Sequence, residues 1–156
     1  MTGTGSNERQ NMTRRQVREH TFKALFQKEF CDHEEYQERC ELYVGELPEL
    51  PAEGKEEIKE RALLVEHRLE ELDGKLNMVA EGWKTRRMGK VELTILRLAA
   101  YEIFYDEQVP AKVAINEAVE LAKIYGGEDS PGFINAILGK LVKGLDEADE
   151  TDRECL

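Results

Sequence analysis

IKERALLVEHRLEELDGKLNMV, residues 58–79, sets Ile58, Ala62, Val65, Leu69, Leu72, Leu76 and Val79 at alternating spacings of four and three. An α-helix turns once in about 3.6 residues, so this spacing draws one apolar stripe along a helix, whereas a strand needs period two. The reading is a bundle helix with a buried face. The alternative is a dimeric coiled coil, which takes roughly three or four sustained heptads, and the stripe barely reaches the lower figure. Asp73-Gly74 interrupts the stripe and marks either a kink or a break between two helices.

Working outward, residues 91–105 are apolar nearly all round (Val91, Leu93, Ile95, Leu96, Leu98, Ala99, Ala100, Tyr101, Ile103, Phe104), as in a helix at the centre of a core. Residues 111–125 follow Pro110, carry Ala114, Ala118, Leu121, Ala122 and Tyr125 at helical spacing, and end on Gly126-Gly127, a glycine stop. Ser130-Pro131 reads as N-cap and first helical position of a last helix that buries Ile134, Ile137, Leu138, Leu141 and Val142. Upstream, Thr13 and Gln16 fit a capping box before a helix bearing Val17, Phe22, Leu25, Phe26 and Phe30. A shorter helix is predicted over residues 34–44, ending before Gly45 and the Pro48–Pro51 loop. Strand-like alternation is absent. The expected fold is all-α, a bundle of about six or seven helices. Residues 1–12 read as a flexible leader, and the acidic stretch 144–156 as a flexible tail.

The chain has 156 residues, the length of one domain, and its 40% hydrophobic content suffices for a core, which excludes wholesale disorder. Its apolar runs are too short for a membrane span, and no secretory signal core opens it. Three cysteines, Cys31, Cys40 and Cys155, make no disulfide framework and fit the cytoplasm. The formal net charge of −11 argues against a nucleic-acid partner only if it is evenly spread. It is not: residues 1–28 carry +4, 29–74 carry −11, 75–112 carry +2, 113–143 carry −1 and 144–156 carry −5.

Enzyme chemistry finds little support. His20, His33 and His67 offer no metal-ligand spacing, and no CxxC is present, so neither a metal site nor a cofactor is expected. Gly126-Gly127-Glu128-Asp129-Ser130 lacks the lysine and spacing of a phosphate loop. Glu117 and Glu120 read as a solvated helix face rather than a catalytic pair.

Binding chemistry finds more. Arg14, Arg15 and Arg18, with Lys23, lie on the first helix. Such runs are usually solvated charge. Here two cations occupy a helix N-terminus, where each costs roughly 0.3–1 kcal/mol against the macrodipole unless an anion offsets it. A second basic stretch holds Lys84, Arg86, Arg87 and Lys90 beside Trp83, which either stacks on a base or packs in the core. Arg97 sits in the most apolar helix, so it either pairs with a buried carboxylate or reaches out to a ligand. Backbone N–H groups after Ser130 could take an anion, while Glu128 and Asp129 would oppose a phosphate and accept hydrogen bonds from base amines. Tyr125 is a stacking platform or a core residue; position alone does not decide.

The runs ILRLAAYEI (95–103) and VPAKVAINEAVELAK (109–123), continued in order by GEDS (127–130) and FINAIL (133–138), resemble the NusB family. The first helix, with RRQVRE (14–19) and ALFQ (24–27), is similar as well. The resemblance spans about residues 13–143 and is most specific over 91–141. It implies two packed three-helix subdomains and a bacterial transcription antitermination factor. Such a factor binds single-stranded boxA RNA of ribosomal RNA transcripts together with NusE, a small-subunit ribosomal protein, within an antitermination complex on RNA polymerase. Carried over by position, it implies RNA contacts from Arg14, Arg15, Arg18, Arg97, Tyr125 and Asp129, and a NusE-facing side at Phe26 and Glu92. Departures are Gln16 and Val17, which thin the basic cluster, Phe26 in place of a common tyrosine, and Pro131-Gly132, which leaves the last helix start without a basic residue. The fold also occurs in ribosomal RNA cytosine methyltransferases, but no methyltransferase activity is expected of this chain.

The leading expectation is a non-enzymatic RNA-binding adaptor. The alternative is a protein-interaction module of the transcription complex without intrinsic RNA affinity. A homodimer through the 58–79 stripe or the arginine helix is a third, structural possibility.

Overall fold

The computed structural model describes residues 12–47, 49–82 and 84–154, with side chains as far as Asp146. The expected leader apart from Met12, Trp83, and the side chains of the expected tail beyond Asp146 lie outside the described residues. Among the described residues there are seven α-helices, two short 3-10 turns and no strand, so the all-α expectation holds. The chain divides into two compact units, Met1–Arg68 and Leu69–Leu156.

The first unit contains α1 (Arg14–Phe26), a 3-10 turn (Gln27–Phe30), α2 (His33–Gly45) and α3 (Ala52–His67). The capping box forms as the sequence predicts. The Thr13 hydroxyl accepts from the Gln16 N–H at 3.1 Å, and the Gln16 side chain accepts from the Thr13 N–H at 2.9 Å. Helix α1 buries Val17, Phe22, Ala24 and Leu25, leaves Phe26 half-buried, and hands its aromatic face on to the exposed Phe30. The Asp32 carboxylate accepts the Glu35 N–H at 2.9 Å and starts α2, whose first-turn Glu34 and Glu35 favour the helix dipole. The Tyr36 hydroxyl, fully buried, donates to the Ala62 carbonyl at 2.9 Å and ties α2 to α3. Burial holds the Tyr36 hydroxyl and the Cys40 thiol far from ionising, which suits packing rather than nucleophilic chemistry.

The second unit contains α4 (Leu69–Val79), a 3-10 turn (Thr85–Arg87), α5 (Lys90–Tyr105), α6 (Ala111–Tyr125) and α7 (Ser130–Glu154). Helix α5 is central, as its all-round apolar sequence requires: it packs against α4, α6 and α7 and buries Leu93, Ile95, Leu96, Leu98, Ala99 and Ala100. Small side chains on α6 (Ala114, Ala118, Ala122) bring that helix close to its neighbours. Ile134, Ile137, Leu138 and Leu141 bury the inner face of α7, while Val142, expected inside, is half-buried. The α7 backbone stays helical to Glu154, past the end of that stripe.

Two expectations are corrected. The 58–79 stripe divides at Arg68, not at Asp73-Gly74, so the second unit has four α-helices where three were implied. No proline or glycine marks Arg68; one residue leaves helical geometry there (φ −109°, ψ 14°) while the four-three spacing runs on. Gly74 is exposed and tolerated inside α4. The stripe is also not one continuous coiled-coil seam: it is shared between two helices, with Ile58, Ala62 and Val65 fully buried on α3 and Leu72 and Leu76 on α4, while Leu69 and Val79 are half-buried.

Candidate nucleic-acid interface

In the first unit the arginines expected to meet RNA fall into three situations. Arg14 is exposed, but its Nη2 donates to the Glu57 carboxylate on α3 at 2.5 Å. The Arg61 Nε lies 3.8 Å from the same oxygen. Arg15 is exposed. Arg18 is buried, at 9% exposure, and engaged within the chain. The first turn of α1 contains no acidic residue, so its positive end is not offset from within the helix. Beside it is a cavity of about 330 Å³ lined by Met12, Arg14, Val17, Glu53, Gly54 and Glu57. The Met12 thioether packs directly on Gly54, where a Cβ would displace it.

Phe26 stands on the same helix, edge-on to Phe30 with ring centroids 5.2 Å apart and tilted against Phe22 at 6.1 Å. Phe30 is 55% exposed, so the ladder of rings ends at the surface. Nearby, Glu66 accepts from His33 Nδ1 at 2.5 Å and lies 3.7 Å from Lys28.

In the second unit Arg97 takes the first of its two readings, and pairs with a carboxylate. Its Nε donates to Asp73 Oδ1 at 2.8 Å and its Nη2 to Oδ2 at 2.7 Å, a bidentate fork bracing α5 against α4. Tyr125 is half-buried at the end of α6. Gly126 follows with an extended backbone, φ −94°, rather than the left-handed turn of a glycine stop. Glycine is needed for another reason: a Cβ would collide with the side chain of Ser130.

Ser130 is a junction the sequence did not reveal. Its hydroxyl accepts the Gly127 N–H at 2.9 Å and donates to Glu92 Oε1, on the first turn of α5, at 2.5 Å. Ser130 is thus the first helical residue of α7 rather than its expected N-cap, with the Asp129 carbonyl accepting the Phe133 N–H, and its hydroxyl fixes the α6–α7 loop to α5. Glu92, expected at a partner-facing side, is half-buried and held in this link. Around it is a cavity of about 410 Å³ lined by Arg87, Met88, Gly89, Glu92, Asp129, Ser130 and Phe133. Asp129 is exposed at its edge. The cavity combines one guanidinium, two carboxylates and an aromatic ring, a set able to hold a base by its amino edge and its face. Phe133 was not singled out from sequence; its position one turn after Ser130 was the available signal.

Arg86 and Arg87, in the turn leading to α5, are exposed, and among the described residues neither side chain makes a hydrogen bond or ion pair, while the Arg87 backbone N–H donates to the Lys84 carbonyl at 2.8 Å. Lys84, their neighbour, donates to the Asn77 carbonyl at 2.9 Å. Among the described residues no group of three or more His, Cys, Asp or Glu could hold a metal ion, and no helix is long and apolar enough to cross a membrane.

The NusB family model matches residues 15–143. The "Transcription antitermination protein NusB" of Lachnoclostridium phytofermentans is 47% identical over 131 residues, covering 84% of this chain and 99% of its own length. That of Agathobacter rectalis is 46% identical over 129 residues, covering 83% and 98%. Among solved structures, T. maritima NusB superimposes with a TM-score of 0.78 at 34% identity, covering 85% of this chain and 92% of that one. A chain from the structure described as a plectonemic RNA supercoil gives 0.74 at 26% identity, covering 85% and 95%.

Proposed function

The chain belongs to the NusB family, and from that premise we propose that it is a cytoplasmic transcription antitermination factor binding single-stranded boxA RNA of nascent ribosomal RNA transcripts together with NusE. The observation that carries this reading is the family match over residues 15–143, with relatives named for antitermination covered almost end to end. The protein acts as an adaptor, not as an enzyme. It joins RNA and NusE within the antitermination complex on RNA polymerase.

The proposed RNA contacts are Arg14, Arg15, Arg18, Arg97, Tyr125 and Asp129. The exposed Arg15, at a helix end without an acidic first turn, supplies phosphate attraction. Asp129, at the rim of the 410 Å³ cavity, accepts from base amines, and Tyr125 offers a face for stacking. Arg97, through its bridge to Asp73, has the largest structural share of the six. Phe26 is proposed to meet NusE through its ring ladder, and Glu92 by holding the α5 start in place.

A second reading, a protein-interaction module without RNA affinity of its own, draws on one observation: Arg14 and Arg97 are each engaged by a carboxylate of the chain. Titration of labelled boxA RNA with the protein, with and without NusE, separates the two. RNA binding by the protein, strengthened by NusE, supports the adaptor. Binding of NusE with no RNA bound at any point supports the second reading.

A further inference from the structure

We infer that Arg86 and Arg87 form a phosphate-binding element that holds the backbone of a single-stranded RNA at the cavity beside Asp129 and Phe133. The inference rests on the RNA-binding reading above and adds two residues to it that the family resemblance did not supply.

Every other arginine whose side chain is described has a partner within the chain or takes part in a contact of its own. Arg14 and Arg61 share Glu57, Arg39 pairs with Glu35, Arg97 pairs with Asp73, and Arg15, Arg18 and Arg68 are likewise engaged. The Arg86 and Arg87 side chains are exposed and unengaged among the described residues, in a chain whose net charge is −11. With acidic groups so abundant, two adjacent arginines escaping all of them is the unusual feature. An unpaired guanidinium meets a phosphate bidentately without first breaking an internal salt bridge.

Placement gives the second part. Arg87 lines the 410 Å³ cavity with Glu92, Asp129, Ser130 and Phe133. Of its two carboxylates, that of Glu92 is occupied by the Ser130 hydroxyl, while Asp129 is exposed. A bare phosphate in the cavity would face both anions. A nucleotide resolves the conflict, because its phosphate lies outward on Arg87 and Arg86 while its base amine turns to Asp129 and its face to Phe133. The short 3-10 turn Thr85–Arg87 is fixed from below: Thr85 is buried, and its N–H donates to the Asn77 side chain at 2.8 Å. The two arginines therefore extend from an anchored backbone.

The test is a salt titration of RNA binding by wild type and R86Q/R87Q, using a boxA-type oligonucleotide of about 12 nucleotides with NusE present. Each phosphate contact on a single strand contributes about 0.7 to the slope of log K against log salt, so the double variant is expected to lose about 1.4 of slope and about tenfold in affinity near 0.1 M salt. R86K/R87K is expected to keep the slope, since lysine serves as a point charge. The thermal midpoint of R86Q/R87Q should equal that of wild type, which excludes misfolding as the cause. Wild-type binding with an unchanged slope in R86Q/R87Q overturns the inference and leaves the RNA-binding reading standing. So does a loss confined to NusE affinity, which would assign the pair to a protein contact. Absence of RNA binding by wild type overturns both.

Discussion

The first turn of α1 and the turn before α5 both place arginines at the surface, yet they differ in what those arginines touch. At α1, Arg14 is held by Glu57 and Arg18 is largely buried. Before α5, Arg86 and Arg87 point outward with no internal partner among the described residues. A basic cluster read along a sequence is an upper bound on the positive charge a surface presents. The carboxylate that neutralises Arg14 comes from a different helix, 43 residues away. For a protein of net charge −11, selecting which cations stay unpaired decides where an anion can bind.

The largest effect is expected at the fully paired extreme. Asp73→Ala leaves the Arg97 guanidinium, whose side chain is 13% exposed, without its bidentate partner, and should cost about 2–4 kcal/mol in urea unfolding. A loss well under 1 kcal/mol would show that the bridge braces nothing. Next comes the direct contrast between regions. Arg14→Gln alone should lower RNA affinity by only about two- to threefold, since Arg14 already spends its charge on Glu57, against the tenfold loss of R86Q/R87Q. Equal losses would erase the distinction between paired and unpaired arginines. Glu57→Gln sharpens it in the opposite direction: with Arg14 released, RNA affinity should rise about two- to threefold at low salt and the gain should vanish near 1 M. An unchanged affinity would mean that Glu57 does not compete with phosphate.

The smallest effect concerns pH. Burial holds the His20 imidazole below its ordinary range, Lys23 pushes it the same way and Glu19 opposes them. The neutral ring makes a 2.9 Å hydrogen bond with the Tyr43 hydroxyl. Because the folded state resists protonation and the unfolded chain does not, stability present above pH ~6.5 should decline as pH falls below it. The thermal midpoint should drop between pH 7 and 5.5, and His20→Gln should flatten part of that drop. The variant keeping the full wild-type slope would remove His20 from the account.

Much of the fold was legible because it depends on local rules. The Thr13–Gln16 capping box, the all-round apolar α5 and the 111–125 helix are each written in neighbouring residues. The break at Arg68 was not legible, since nothing in its side chain forbids a helix and the apolar spacing continues through it. Gly126 was legible as a stop, but not for its cause, which is the Ser130 side chain packed against it. The site divides the same way. Arg97 was recognised as an anomaly in an apolar helix, but its Asp73 partner is set by packing of α4 on α5. The Ser130–Glu92 link and the Arg14–Glu57 pair span 38 and 43 residues and carry no local signature.

The central claim is that this NusB-family chain binds single-stranded RNA through a few cations left unpaired on an acidic protein. The most direct measurement is the affinity for boxA RNA, with NusE present, across a series of salt concentrations. The account predicts binding whose logarithm falls linearly with log salt, with a slope of several phosphate contacts at about 0.7 each. No binding at low salt, or binding indifferent to salt, would contradict it.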